Sequence, residues 1–297
     1  MNILITIAGI YFFVLLGFSA KRLFNEIHER TLVLISVYFL QPMLAFWGIL
    51  GKPFEFEDFI TPTLYFLISF MGALIGYVLF SKILSNKKDV AIVTATGIIG
   101  NTGNLGVPLL IGIYGKSVAF YAILINTANV FVLYIIGVFL YSLGSISAKD
   151  SFKNIFKIPV IWFSLLAIIL NFAGITLNSS VEKIVEMGAY TSMTLQLIIF
   201  GVFIGGLKNV KIDKKILLYG LLNKAIFIPF IAFLILYFID IEPFLKTVLF
   251  LQICMPIAVS NVNLSSLYNC EPHNTTALIL ASSLIFLFAF FIYAKVF

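Results

Sequence analysis

Two stretches of this chain carry polar chemistry where the surrounding residues are apolar. The first, Gly100-Asn101-Thr102-Gly103-Asn104-Leu105-Gly106-Val107-Pro108, brings two amides, a hydroxyl, three glycines and a proline into the middle of an apolar run. The second runs from Phe250 to Asn263 and carries Pro256 mid-run, with Gln252, Ser260, Asn261 and Asn263 around it. A proline inside a helix removes a backbone bond and clashes with the preceding turn. In a bilayer, such a break survives only where protein or a water-filled cavity covers it. Interrupted segments at matching places in two halves of a chain point to a transporter's binding site. The groups here are neutral, so the chemistry they permit is hydrogen bonding of a solute. A broken helix also presents backbone N–H groups at the start of its second half, where the partial charge is positive and suits an anion. The opposite half-helix ends present carbonyls and would suit a cation. The amides and hydroxyls add donors, which favours a carboxylate-bearing solute.

Other polar groups lie within apolar runs. Lys224 is the one basic residue well inside a run, where a charge is costly. Three readings stand for it: drawing in an anion, binding a carbonyl at a helix break, or reaching back to the cytoplasmic face. Asn126 and Asn129 either line a cavity or hydrogen-bond the neighbouring break. Gln41-Pro42 reads as a kink in a supporting helix. All 13 acidic residues fall in loops or at run ends, which counts against a proton relay built on carboxylates. His28 and His273 are in loops, and the hydrolase, zinc-protease and Walker motifs are missing, so no enzyme is expected. The two cysteines, Cys254 and Cys270, indicate neither a disulfide nor a metal site, and no cofactor is expected.

The elements that must position these groups are apolar helices. Of the 297 residues, 61% are hydrophobic and 11% charged, the composition of a polytopic membrane protein. Ten runs of spanning length can be marked: Ile3–Ala20, Leu32–Leu50, Phe59–Phe80, Val90–Tyr114, Val118–Leu140, Ile158–Leu177, Ile184–Leu207, Ile216–Ile239, Phe244–Tyr268 and Thr276–Ala294. The first run has its basic residues, Lys21 and Arg22, behind it, and reads as a retained span rather than a signal peptide. The net charge of +6 is dealt out loop by loop, which is a topological signal and not a nucleic-acid one. Lys21, Arg22, Arg30, Lys82, Lys87, Lys88, Lys149, Lys153, Lys157, Lys208, Lys211, Lys214 and Lys215 share one side; Lys52, Lys116, Lys183, Lys246 and Lys295 share the other. The richer side is expected in the cytoplasm and both termini outside it, in the cell membrane. The polar connection 142–157 divides the chain into halves 1–141 and 158–297 with five runs each. An odd number per half turns the halves over relative to each other. The expected fold is therefore all-α: ten transmembrane helices in two inverted five-helix repeats, with broken fourth and ninth helices that pair. Glycines 97, 100, 103 and 106 would form a stripe on a helix that lets another backbone cross closely. Gly72 with Gly76, and Gly201 with Gly205, read as plain helix packing.

GNTGNLGVPLL in the fourth run, LVLISVYFLQPMLAFW in the second and CMPIAVSNVNLSSLYN in the ninth resemble the auxin efflux carrier family, over essentially the whole chain. The resemblance implies two inverted repeats whose fourth and ninth helices cross at Pro108 and Pro256. It implies an elevator-like motion of runs three to five and eight to ten against a scaffold of runs one, two, six and seven. A homodimer through the scaffold is implied in the same way. Asn101 matches the family's substrate-contacting asparagine, and Asn261 a position that often carries a polar residue. Met193 stands where many members have a proline, which implies a less bent scaffold. The short connection 142–157 implies no regulatory loop of the kind seen in many plant members.

The expected activity is thus secondary transport of a small organic anion across the bilayer. Asn101, Thr102, Asn104, Gln252, Ser260, Asn261, Asn126 and Lys224 are the candidate binding residues, and Pro108 and Pro256 shape the crossing. A sodium-coupled symporter with the same fold, and a membrane sensor that binds without transporting, are the alternatives.

Overall fold

The computed structural model describes residues 3–142, 159–206 and 212–296. The expected connection 142–157 lies outside the described residues except for Ser142, as do Lys208 and Lys211. Among the described residues the secondary structure is helical, with one isolated antiparallel bridge between Gly100 and Ile257. Six helices among the described residues are long and apolar enough to cross a membrane: Arg30–Ile49, Phe56–Ile83, Lys116–Tyr141, Ser179–Gly205, Lys214–Phe238 and Pro272–Tyr293. A 21-residue helix, Ile3–Leu23, precedes them. Thr102–Tyr114, Pro159–Phe172 and Pro243–Cys254 are shorter apolar helices. The fourth and ninth runs are not continuous helices, because each is interrupted partway. Large apolar side chains face outward, Phe238 and Phe288 each 80% exposed, as lipid contact requires.

Helix ends follow local chemistry. Asn86, Asn178 and Asp213 cap their helices, each side chain accepting from the backbone N–H two residues on. The sixth run stops at Phe172 rather than continuing to Leu177. Gly174 takes φ +66, Gly174 N–H donates to the Asn171 carbonyl and Ile175 N–H to that of Leu170, the two bonds of a Schellman end.

Three π-turns each run directly into a helix whose second residue is proline. Ser36–Leu40 precedes Gln41-Pro42, Thr102–Gly106 precedes Val107-Pro108, and Asn223–Phe227 precedes Ile228-Pro229. A proline cannot donate to the carbonyl four residues back and its ring crowds it, so widening the turn relieves both problems.

The chain divides into two compact units. The first comprises Met1–Ile60, Gly103–Thr127 and Phe156–Lys208; the second comprises Thr61–Thr102, Ala128–Ile155 and Asn209–Phe297. The first holds runs one, two, six and seven, together with the end of the fourth run and the start of the fifth. The fourth and fifth runs are therefore shared between units, because the chain changes unit after the break in the fourth.

Within the first unit, the first and seventh runs meet backbone to backbone. A side chain at Gly201 would collide with the Val14 carbonyl, and one at Gly17 with the Ile198 carbonyl. At the unit's loop end, Asn171 donates to the Ile49 and Lys52 carbonyls at 2.7 Å each and accepts from Phe54 N–H at 2.6 Å. Lys52 pairs with Asp58 and donates to the Tyr121 hydroxyl, both at 2.8 Å.

Candidate functional site

The polar centre of the second unit is built where the two broken helices meet. The helix Lys87–Ile98 ends in an extended residue, Ile99 (φ −94, ψ 90). The helix Pro243–Cys254 ends likewise at Met255 (φ −52, ψ 145). The two extended segments pair through backbone alone: Asn101 N–H donates to the Pro256 carbonyl at 2.7 Å, and Ala258 N–H to the Ile99 carbonyl at 3.1 Å. Each break thus satisfies backbone groups of the other, which is how an interruption is tolerated away from water.

The structure centres this pairing on Gly100 and Ile257. Pro256 lies in it. Pro108 does not: it sits in the first turn of the helix Val107–Tyr114, beyond the break. The proline of the fourth run restarts a helix, whereas Gly100 admits the partner backbone. A Cβ at Gly100 would stand 3.2 Å from Lys224 Nζ and 3.4 Å from the Met255 carbonyl oxygen. The glycine stripe expected on one helix is therefore split, because the helix ends at Ile98. Gly97 faces the Asn223 amide, and Gly103 faces Asn126 within the first unit.

Side chains from neighbouring runs brace the pairing. Asn129 donates to the Gly100 carbonyl and to Thr102 Oγ1, both at 2.9 Å, and accepts from the Tyr65 hydroxyl at 2.9 Å. Of its two open roles, Asn129 fills the second, bonding the break. On the partner segment, Ile257 N–H donates to Ser282 Oγ at 3.1 Å. The two bridged residues thus each receive a side chain from the run that follows their own, the fifth and the tenth. Asn261 is also committed: its amide donates to the Ala258 carbonyl at 2.9 Å and the Ile99 carbonyl at 3.2 Å, and accepts from the Tyr141 hydroxyl at 3.0 Å.

Lys224 is buried, 3% exposed, and does not reach toward the membrane surface. Its ammonium donates to the Gly97 and Ile253 carbonyls at 3.1 Å each. Gly97 and Ile253 are both the second-last residue of their helices, among the carbonyls that lack an intrahelical partner. The π-turn Asn223–Phe227 places Lys224 there and aims Asn223 at the Val93 carbonyl, 2.7 Å away.

Asn101 differs from these braces. Only 2% of it is exposed, its backbone is fixed to Pro256, and its amide Nδ2 makes no hydrogen bond. It lies directly before the second half of the broken helix, Thr102–Tyr114. Thr102 and Gln252 are buried in the same unit, and Ser260 is half-buried at the start of the helix Ser260–Leu267. Asn104 and Asn126 are half-buried residues of the first unit. Among the described residues no group of three or more His, Cys, Asp or Glu is placed to hold a metal ion.

The sequence pointed to Asn101, Lys224 and Asn261 but not to Tyr65, Tyr141, Asn223 or Ser282, which hold the crossing as firmly. Tyrosines and serines are scattered along the chain, and only the fold distinguishes these four. For Asn223 a signal existed: a polar residue beside Lys224, six positions before Pro229.

A multi-pass helical membrane protein with paired interrupted helices is built as a transporter. The chain belongs to the auxin efflux carrier-like membrane transport family: the family described as "membrane transport protein" matches residues 2–148 and 144–294. It is also 26% identical over 273 residues to the uncharacterized transporter MJ1031 of Methanocaldococcus jannaschii, covering 87% of each chain. Both matches are to transporters, not to enzymes.

Proposed function

We propose that this transporter carries a small organic anion, such as a carboxylic acid, and binds it at the Asn101 end of the crossing. The carrying observation is the Asn101 amide Nδ2, buried and without a hydrogen-bond partner, while the Asn129 and Asn261 amides are committed to the crossing. A buried amide N–H left unmade costs about 1–3 kcal/mol, which an acceptor-rich solute would recover. The adjoining helix start contributes backbone N–H groups and a positive partial charge. Thr102, Gln252 and Ser260 of the same unit are the further candidates for contact. Asn261 and Lys224 act through the crossing rather than on the solute.

The same reading takes the ten runs as ten spans in two inverted repeats, with both termini extracytoplasmic in the cell membrane. Alternating access is by an elevator movement of runs three to five and eight to ten against a scaffold of runs one, two, six and seven, with a homodimer through that scaffold. The fifth-run and tenth-run braces at Gly100 and Ile257 support the repeat, since each occupies the equivalent place in its half.

A thermal-shift panel of small carboxylic acids on the purified protein tests this, with counterflow in proteoliposomes for any acid that binds. A stabilising acid whose effect is lost in Asn101→Ala is the expected result. Stabilisation by cations alone would overturn it. Binding without counterflow would make the protein a sensor.

A further inference from the structure

We infer that the Lys224 ammonium is the resident cation of the crossing: it fills a carbonyl cage between the two broken helices that a free metal ion would otherwise occupy, and the carrier therefore works without sodium. The inference rests on the transporter reading but not on the choice of an anion as solute.

Three observations carry it. First, the cage is made of helix ends. Lys87–Ile98 and Pro243–Cys254 both stop at the crossing, and each offers one orphan carbonyl, Gly97 and Ile253, to the same ammonium at 3.1 Å. Each helix C-terminus carries about half a negative elementary charge, so two of them together match one cation. Second, no carboxylate shares the task. Lys224 forms no ion pair among the described residues, and the pairs Lys52–Asp58 and Lys116–Glu186 are remote from it in sequence. A buried charge needs a partner, and here the partner is the pair of helix ends. Third, the side chain is delivered on purpose. The π-turn Asn223–Phe227 forms ahead of Pro229, and the carbonyl that Pro229 cannot serve, that of Ala225, is taken by the Tyr293 hydroxyl at 2.6 Å. A cavity of ≈ 10 Å3, the size of one water, adjoins the ammonium among Lys224, Cys254, Pro256, Ser282 and Tyr293. There is room for hydration of the third N–H.

Sodium coupling through half-helix carbonyls requires those carbonyls to be vacant in part of the cycle. A tethered ammonium holds them continuously and does not exchange with solution. The two halves of the crossing stay bridged at a constant net charge, and the identity of residue 224 decides whether the carrier is cation-dependent.

The test is a melting series on purified wild type, Lys224→Arg and Lys224→Ala, each in sodium, methylammonium, ethylammonium and tetramethylammonium chloride at equal ionic strength. Wild type is expected to melt at the same temperature in all four salts. Lys224→Ala is expected to melt lower by roughly 5–10 °C, the scale of losing two buried hydrogen bonds in a chain of this size. Sodium, methylammonium or ethylammonium should restore much of that loss, and tetramethylammonium, too large for the cage, should not. A wild-type protein stabilised by sodium over the organic cations overturns the inference, and so does Lys224→Ala that melts like wild type or is restored equally by every salt. If Lys224→Ala does not fold, solute counterflow by the wild type in sodium-free buffer decides: equal rates support a built-in cation, and loss of transport without sodium overturns it. A carrier that shows no sodium dependence but ignores every carboxylic acid would sink the anion assignment alone.

Discussion

The backbone N–H of Asn101 donates to the carbonyl of Pro256 at 2.7 Å, tying two residues 155 positions apart without using either side chain. The Asn101 amide Nδ2 is left over, buried and without a hydrogen bond, whereas the Asn129 and Asn261 amides are employed in holding the crossing. Asn101→Ala should therefore remove function without removing the fold. A change within about 1 kcal/mol is expected in stability, as at sites with no bond to lose, while solute counterflow should fall at least tenfold. Full transport by a well-inserted Asn101→Ala protein would end the assignment.

Asn129 and Asn261 should behave in the opposite way. Each side chain makes three buried hydrogen bonds, two to the extended segments or their flanks and one from a tyrosine hydroxyl. Replacing either with Ala leaves carbonyls and a buried phenol unmatched, at about 2–4 kcal/mol. Denaturation of the purified variants should show both well below Asn101→Ala. Removing the phenols separately, with Tyr65→Phe and Tyr141→Phe, should cost about 1 kcal/mol each.

The fold's helical class and its two interruptions were legible because apolar runs and mid-run prolines are local signals. The location of the crossing was not. Pro108 marks where a helix resumes, and its missing N–H announces a break without saying on which side the chain becomes extended. The pairing fell on Gly100 instead, where an added Cβ would press to 3.2 Å from Lys224 Nζ and 3.4 Å from the Met255 carbonyl oxygen. Lys224 had three open readings, and choosing among them needed the two carbonyls that face it, supplied by residues 127 and 29 positions away. Asn126 and Asn129, one turn apart, looked alike for the same reason: which of them meets the break depends on the rotation of their helix.

The first and seventh runs give a prediction independent of the crossing. Val14 and Ile198 present carbonyl oxygens directly over Gly201 and Gly17. Gly201→Leu cannot be absorbed by side-chain movement, because the obstructing atoms are backbone. It should prevent stable assembly of the first unit, read as aggregation on size-exclusion chromatography, whereas Gly9→Leu, with open space around it, should elute as wild type.

Lys52 sets a pH limit on the loop end of that unit. Burial alone would lower its pKa, but the hydrogen bonds to Asp58 and Tyr121 and their charges outweigh it, and the ammonium is held above its ordinary 10.5. A raised folded-state value means that the pair's contribution is fully present below about pH 10.5 and is lost as pH climbs through the folded value. The pair is partly solvated, so the effect is small. Melting of wild type minus Asp58→Asn should be constant from neutral pH to about 9.5 and shrink only above 10.5. A difference that vanishes near pH 7 would show that the pair is not formed.

Pro229 and Tyr293 should be coupled through the Ala225 carbonyl. Tyr293→Phe alone leaves that carbonyl unserved, at about 1–3 kcal/mol. Pro229→Ala restores an N–H that can serve it and removes the reason for the π-turn. In the Pro229→Ala background, Tyr293→Phe should then cost less, by a coupling of about 0.5–2 kcal/mol in a double-mutant cycle. The functional consequence runs the other way. Closing the π-turn to an ordinary turn rotates Lys224 away from Gly97 and Ile253, so Pro229→Ala should fold but melt below wild type and be poor in counterflow. Additivity in the cycle would show that the proline and the hydroxyl act on different carbonyls. Normal transport by Pro229→Ala would show that Lys224 keeps its place without the π-turn.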